Sequence, residues 1–465
     1  MKILLAQVTS PRIDKYSANC YPLGLMSLAK FLSASEPGIE TRIIVGEIDN
    51  NDIASYAPDL VGLSLLSGFF SLGCSIAAAL RHNQPDLPIV FGGHHITYLP
   101  DNLPEAATLG VLGEGERTFL NLCRVFKKHG RFDPAELAHM PGIVFRNNGA
   151  LRVNPRDASF LSPEEIPVID NYDICSFKTA RRTTFHVIAS RGCPHKCRFC
   201  SSSPFWGTVR LHSPAGVAAH IDYIERRFDP EVIFLYDDLF VANRKHLTAI
   251  RDLVVAKKLN RRTSFCSWIA ANIFNRDVVD ILKAMNFFGV NIAVESGVPR
   301  IYEYLKGTWN DPADNRRAIE LAHKNGLLVY SSAIVGSPDE TEDDLESTYR
   351  FLESLPLANG TVAPLKPLPG TVLWEEAKAR GLVSDHMDDW STLESDDLLD
   401  PAVPIMADCV DRTTLQKHLD RIKALLKAKE EMHKWPDFLA RVNRPGKALR
   451  YLQRKSRQLG QRALP

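Results

Sequence analysis

The chain has 465 residues, 45% hydrophobic and 24% charged, which excludes a disordered or collagen-like chain and exceeds one ordinary domain. Lys and Arg total 56 against 55 Asp and Glu, so no global charge points to nucleic acid or to a membrane surface. Nine cysteines are too few for a disulfide scaffold, and three of them cluster at Cys193, Cys197 and Cys200. That usage fits a reducing, cytoplasmic setting with one metal or redox site, and no cleavage-site pattern follows the first apolar run.

In chain order, residues 2–8 read as a strand, 22–32 as a helix with Leu25, Leu28, Ala29 and Leu32 on one face, and 41–45 as a second strand. Residues 60–80 carry no charge over a length that would span a membrane. Gly62, Gly68 and Gly73, bracketed by Asp59 and Arg81, favour instead a buried strand at 61–65, a turn at Ser67-Gly68 and a helix from Phe69. Strands at 88–91 and 109–112 follow, the second leading through Gly113-Glu114-Gly115-Glu116 into a helix at 118–126. This repeated βα unit predicts a parallel, doubly wound, flavodoxin- or Rossmann-like sheet over residues 1–128. Such sheets take ligands at the carboxyl ends of their strands. The loops there hold Tyr21-Pro22-Leu23-Gly24, Ser64-Leu65, Gly92-Gly93-His94-His95 and Gly113-Glu114. Each also fits a plain strand-to-helix turn, and without GxGxxG after the first strand a nicotinamide or flavin dinucleotide is not expected.

Residues 129–183 read as a proline-bearing linker with a small β element at 142–145. Over residues 184–380 strands alternate with helices again: strands at 184–189, 231–236, 263–268, 290–294, 327–335 and 361–365. Ser213-Pro214 and Asp311-Pro312 mark helix starts, and Gly289 and Gly326 mark helix stops. Six units short of a closed barrel predict a partial (β/α)6, TIM-like fold. Asp237-Asp238, Glu295-Ser296 and Gly336 follow strands and so fall at its mouth, as does the cysteine loop at 190–206. The aspartates also suit a helix cap, and Glu295 suits a structural pair with a barrel Lys or Arg.

Cys193-x3-Cys197-x2-Cys200 places three thiolates on one loop. Three suit an iron–sulfur cluster with one iron left open. A structural zinc completed by His195 is the alternative, although no second ligand pair at zinc spacing appears. The run Ser190-Arg191-Gly192-Cys193-Pro194-x-x-Cys197-x-Phe199-Cys200 resembles the signature loop of radical S-adenosylmethionine (SAM) enzymes. The likeness extends through YDD at 236–238, AVESG at 293–297 and IVGSPDET at 334–341. With the PLGL segment at 22–25, Gly92-Gly93-His94-His95 and the GEGE turn, residues 1–380 resemble the cobalamin-binding subgroup.

The resemblance implies that Cys193, Cys197 and Cys200 hold a [4Fe–4S] cluster whose open iron binds SAM. It implies Phe199, Ile334 and Gly336 near the adenine, Asp237 or Asp238 at the methionyl amino group, Glu295 at the ribose, and Ser296 among the cofactor-binding residues. Tyr21, Leu23, Gly24, Ser64, Leu65, Gly92, Gly93, His95, Gly113 and Glu114 would line the cobalamin site. No DxHxxG motif follows the first strand, so cobalamin there would have no lower histidine ligand. The implied reaction is SAM cleavage to a 5′-deoxyadenosyl radical that takes hydrogen from an unactivated carbon, followed by cobalamin-dependent methyl transfer. The alternatives are a radical SAM lyase, dehydratase, epimerase or cyclase, and a non-catalytic metal-binding module. The implied partners are a small-molecule or peptide substrate and a flavodoxin- or ferredoxin-type reductant. Residues 381–465 read as a C-terminal helical region, acidic at first, expected to close over the open barrel. Its basic end at 441–465 reads as a solvated amphipathic helix.

Overall fold

The computed structural model describes residues 1–10, 20–156, 160–178, 184–241 and 243–442. Eight strands build the first sheet: β1 (Lys2–Gln7), β2 (Glu40–Val45), β3 (Leu60–Ser64), β4 (Ile89–Gly92), β5 (Leu109–Val111), β6 (Ile143–Asn147), β7 (Ala150–Asn154) and β8 (Cys175–Phe177). Their order is β7-β6-β5-β4-β3-β1-β2-β8, with the β5–β6 and β6–β7 pairs antiparallel and the other pairs parallel. Alternate residues of β1 face opposite layers. Ile3 and Leu5 pack with the helices Leu23–Ser35 and Glu116–His129; Leu4 and Ala6 pack with Asn50–Tyr56 and Phe70–Asn83. The uncharged stretch is thus a central strand and a covering helix, and no helix among the described residues is long and apolar enough to cross a membrane.

The structure departs from the sequence reading at several elements, among them the following. The segment read as a linker contributes β6, which matches the β element expected at 142–145, and also β7 and β8, which were not expected, so the sheet extends at both edges. The helix Asn50–Tyr56 was not anticipated; it is fixed by a capping box in which Asp49 accepts the N–H of Asn51 and Asp52.

The second unit begins with β9 (Thr184–Val187), followed by a short antiparallel pair, β10 (Ser190–Arg191) and β11 (Arg210–Leu211), that brackets the cysteine loop. The remaining strands are β12 (Val232–Leu235), β13 (Ser264–Ser267), β14 (Gly289–Asn291), β15 (Leu328–Val335) and β16 (Asn359–Pro364). β9, β12 and β13 pair in parallel, as do β14, β15 and β16. Parallel bridges Phe265–Phe287 and Trp268–Asn291 join the two halves. The result is the expected open barrel of six strands in chain order. Polar caps at Ser213, Asn243, Asn275, Asp311 and Thr341 start its outer helices.

The C-terminal helix Arg412–Val442 lies along β16 and beside Glu342–Ser354, burying Leu415, Leu419, Ile422 and Leu426. It extends the helical layer past the last strand. The acidic segment before it reaches the first unit, where Trp390 packs on His95 at 4.4 Å and on Phe70 at 6.1 Å. From residue 443 the basic tail lies outside the described residues.

Candidate functional site

The carboxyl ends of the first sheet face the barrel mouth across a cavity of about 580 Å³. Every first-domain position singled out from sequence lines it except His95: Tyr21, Leu23, Gly24, Ser64, Leu65, Gly92, Gly93, Gly113 and Glu114. Gly93 has φ +95°, and a Cβ there would stand 2.5 Å from the Leu65 carbonyl oxygen, so the close approach of these two loops requires glycine. His95 is fully buried beneath Trp390, with Nδ1 3.1 Å from Ser67 Oγ and Nε2 3.2 Å from Asn102 Nδ2. Its neighbour His94 lines the cavity instead, stacked on Phe205 at 4.2 Å, and burial pushes its pKa down to about 4. It is therefore a neutral imidazole at neutral pH.

The opposite wall includes Cys200, Phe205, Trp206, Tyr236 and Asp238. The cysteine loop turns at Gly192, where φ is +91° and a Cβ would meet the Thr208 carbonyl oxygen at 2.7 Å. Cys193, Cys197 and Cys200 are all partly buried free thiols. Burial pushes Cys193 up to about 11 and Cys197 up to about 12, so metal must displace their protons. Among the described residues no three His, Cys, Asp or Glu side chains converge as around a single ion. His195, the fourth ligand a zinc site would need, lies flat against Trp309 at 3.5 Å and 10°. Three partly buried thiols on one loop are a donor set that suits a cluster.

The two aspartates divide. Asp237 is buried, accepting the Ala189 N–H at 3.0 Å and the Ser190 hydroxyl at 2.6 Å, and burial pushes it up to about 7. It braces the loop. Asp238 faces the cavity and accepts the Gly192 N–H at 3.2 Å, next to the first cysteine. Phe199 and Ile334 share one apolar cluster with Leu305 and Leu365. Glu295 is held at φ +55°, a strained backbone for a side-chain-bearing residue, and pairs with Lys306 Nζ at 3.2 Å. Ser296 is fully buried and turned away from the mouth, its Oγ 3.1 Å from Thr348 Oγ1. Gly336 donates its N–H to Glu340 Oε2 at 2.6 Å, and Ser337 does so at 3.0 Å.

A buried ion network joins the two walls. Arg191 donates to Glu116 Oε1 and Ser27 Oγ, each at 2.8 Å, and also to Glu114. Arg210 donates to the Glu114 oxygens at 2.8 and 3.1 Å, and Glu114 accepts the Leu161 N–H at 2.7 Å. Both oxygens of Glu114 are thus committed to protein partners, and its side chain is a clasp between units. Burial alone would raise Glu116, but Arg191 and Ser27 outweigh it and hold the carboxylate below its ordinary range.

Comparison with known proteins fits this geometry. Residues 187–352 match the Radical SAM superfamily profile, and residues 10–123 match that of the B12 binding domain. A Pyrococcus horikoshii protein named as an uncharacterized methyltransferase is 31% identical over 379 residues, 78% of this chain and 79% of its own. The chain belongs to the cobalamin-binding radical SAM enzymes. Its cofactors are accordingly a [4Fe–4S] cluster, SAM and cobalamin. The anaerobic magnesium-protoporphyrin IX monomethyl ester cyclase of Rubrivivax gelatinosus is 24% identical over 77% of this chain and 67% of its own. The fold matches the radical SAM methyltransferase TsrM from Kitasatospora setae, with a TM-score of 0.67 and 18% identity over 82% of this chain and 78% of that one.

Within this radical SAM frame, four residues of the site had no role in the sequence reading. Arg191 stands inside the motif but is silent without its partners in the first unit. Arg210 follows the loop with no pattern around it. Lys306 ends a helix, where a lysine is ordinarily solvated. Glu340 does have a signal: a carboxylate four residues after a glycine that ends a strand, in reach of the loop's own N–H groups.

Proposed function

We propose that this radical SAM enzyme transfers a methyl group to carbon of a small-molecule or peptide substrate, drawing its electron from a flavodoxin- or ferredoxin-type protein. The observation that carries this reading is the cavity whose walls come from both units: a group held by the first sheet's loops faces Cys200, Tyr236 and Asp238 across it. The Pyrococcus and Kitasatospora relatives, both named methyltransferases, support it. When bound, the cluster with SAM supplies one-electron cleavage to a carbon radical, and cobalamin supplies a transferable methyl group.

In this reading Cys193, Cys197 and Cys200 hold the cluster and leave one iron for SAM. Asp238 takes the methionyl ammonium, while Phe199 and Ile334 flank the adenine. Glu295, already paired with Lys306, accepts ribose hydroxyls through its remaining oxygen capacity. Asp237 and Glu340 position the two loops. The aromatic walls formed by Tyr21, Phe205 and Trp206 keep water from a radical centre.

The test is anaerobic reconstitution. About four irons per chain are expected, with hydroxocobalamin retained through gel filtration. Reduction with SAM should yield both 5′-deoxyadenosine and S-adenosylhomocysteine. The match to the Rubrivivax cyclase favours a second reading, radical ring closure or another rearrangement without methyl transfer. That reading predicts 5′-deoxyadenosine alone. Failure to form either product overturns both.

A further inference from the structure

Resting on the three-cysteine ligand set proposed above, we infer that Lys306 is an electrostatic tuning residue for the cluster, a buried ammonium that raises its reduction potential. The helix Pro299–Lys306 ends against the cysteine loop: the Arg198 N–H donates to the Leu305 carbonyl at 2.9 Å. The residue after Cys197 is thereby pinned to the residue before Lys306. A helix C-terminus carries partial negative charge, which disfavours adding an electron nearby. Lys306 places the opposite sign at that end.

Its side chain is only 10% exposed, so solvent and salt screen it little. Nζ lies 5.2 Å from the Trp309 ring centroid and 5.7 Å from that of Tyr302. Trp309 in turn stacks on His195, which sits between Cys193 and Cys197. Ammonium, indole and imidazole form one column that ends on the ligand loop. Glu295 is the counter-charge, but it is anchored on the β15 side, its Oε2 3.5 Å from Ser332 Oγ, whereas Lys306 follows the residue pinned to the ligand loop. Reduction adds one negative charge to the cluster, so a buried ammonium at the end of a helix docked on the ligand loop favours the reduced form.

The test is a redox titration of the anaerobically reconstituted full chain, followed by electron paramagnetic resonance of the reduced cluster. In Lys306→Met the reduced-to-oxidised ratio at fixed potential should fall about tenfold, about 59 mV for a one-electron couple, with iron content unchanged. Lys306→Arg, which keeps the charge, should titrate like wild type. Because Lys306→Met strands a buried carboxylate, the double variant Lys306→Met/Glu295→Gln removes the pair together and should still shift to more negative potential. An iron-replete double variant at the wild-type potential overturns the proposal, as does Lys306→Arg shifting as far as Lys306→Met. A wild-type chain that holds no cluster, or a Cys197→Ala chain that holds a full one, overturns the ligand set itself.

Discussion

Glu340 does its work with one oxygen. Oε2 accepts two loop N–H groups, while Oε1 is buried and, among the described residues, without a partner. Burial pushes the carboxyl up to about 7 from 4.5, so folding favours its protonated form. The stability this contributes is full below pH 4.5 and is lost as pH rises through 7. The loss reaches about 3 kcal/mol at most. Urea unfolding at pH 5 and pH 8 should show wild type losing about this much relative to Glu340→Gln; equal slopes for the two would remove the assignment. Cys197→Ala should lose the cysteinyl-iron absorption and most bound iron, read by optical spectra and iron analysis. Single residues also mark where sequence reading stops. Two adjacent histidines follow Gly93, and nothing in the chain ranks them. Successive helical side chains point about 100° apart, so only one faces the cavity, and it is His94. The glycines were legible because close backbone approach excludes any other residue.

Among the elements, the β10 strand illustrates how a short piece can govern a large interface. It carries Arg191 into a pocket of carboxylates on the first unit, with the arginine and both glutamate side chains no more than 7% exposed. Removing one partner of such a pair leaves a buried charge behind, so Arg191→Met should cost about 3–5 kcal/mol. Ser27→Ala removes one hydrogen bond and should cost about 1 kcal/mol. Denaturant unfolding measures both, and a loss in Arg191→Met no larger than in Ser27→Ala would contradict a clasp. The βα repeats were readable because each central strand is an apolar run followed by a 3.6-residue pattern. β7 was not, since four of its five residues are exposed and it sits at an edge. β8 is three residues long, too short for any period, and pairs with β2 far back in the chain. The seven-residue helix Asn50–Tyr56 is likewise shorter than the windows in which helical spacing shows.

At the scale of the whole molecule, the acidic stretch before the last helix is a strap. Its Asp385 carbonyl accepts Asn102 Nδ2 at 2.8 Å, its Asp385 side chain accepts Trp374 Nε1 at 2.8 Å, and Trp390 covers His95. Composition hid this, because one buried tryptophan among many acids outweighs them energetically. Trp390→Ala should cost about 3–5 kcal/mol and speed proteolysis near residue 390, read by limited digestion. The wild-type chain should unfold in one calorimetric transition, because clasp and strap tie the two units; two resolved transitions would show them independent. The shared cavity also orders events during biogenesis. The ribosome releases every strand of the first sheet, through Phe177, before the first strand of the barrel emerges. One half of the chamber can therefore take shape while its counterpart is still being synthesised, and its loops stay open to a bulky ligand until the second half arrives to roof them.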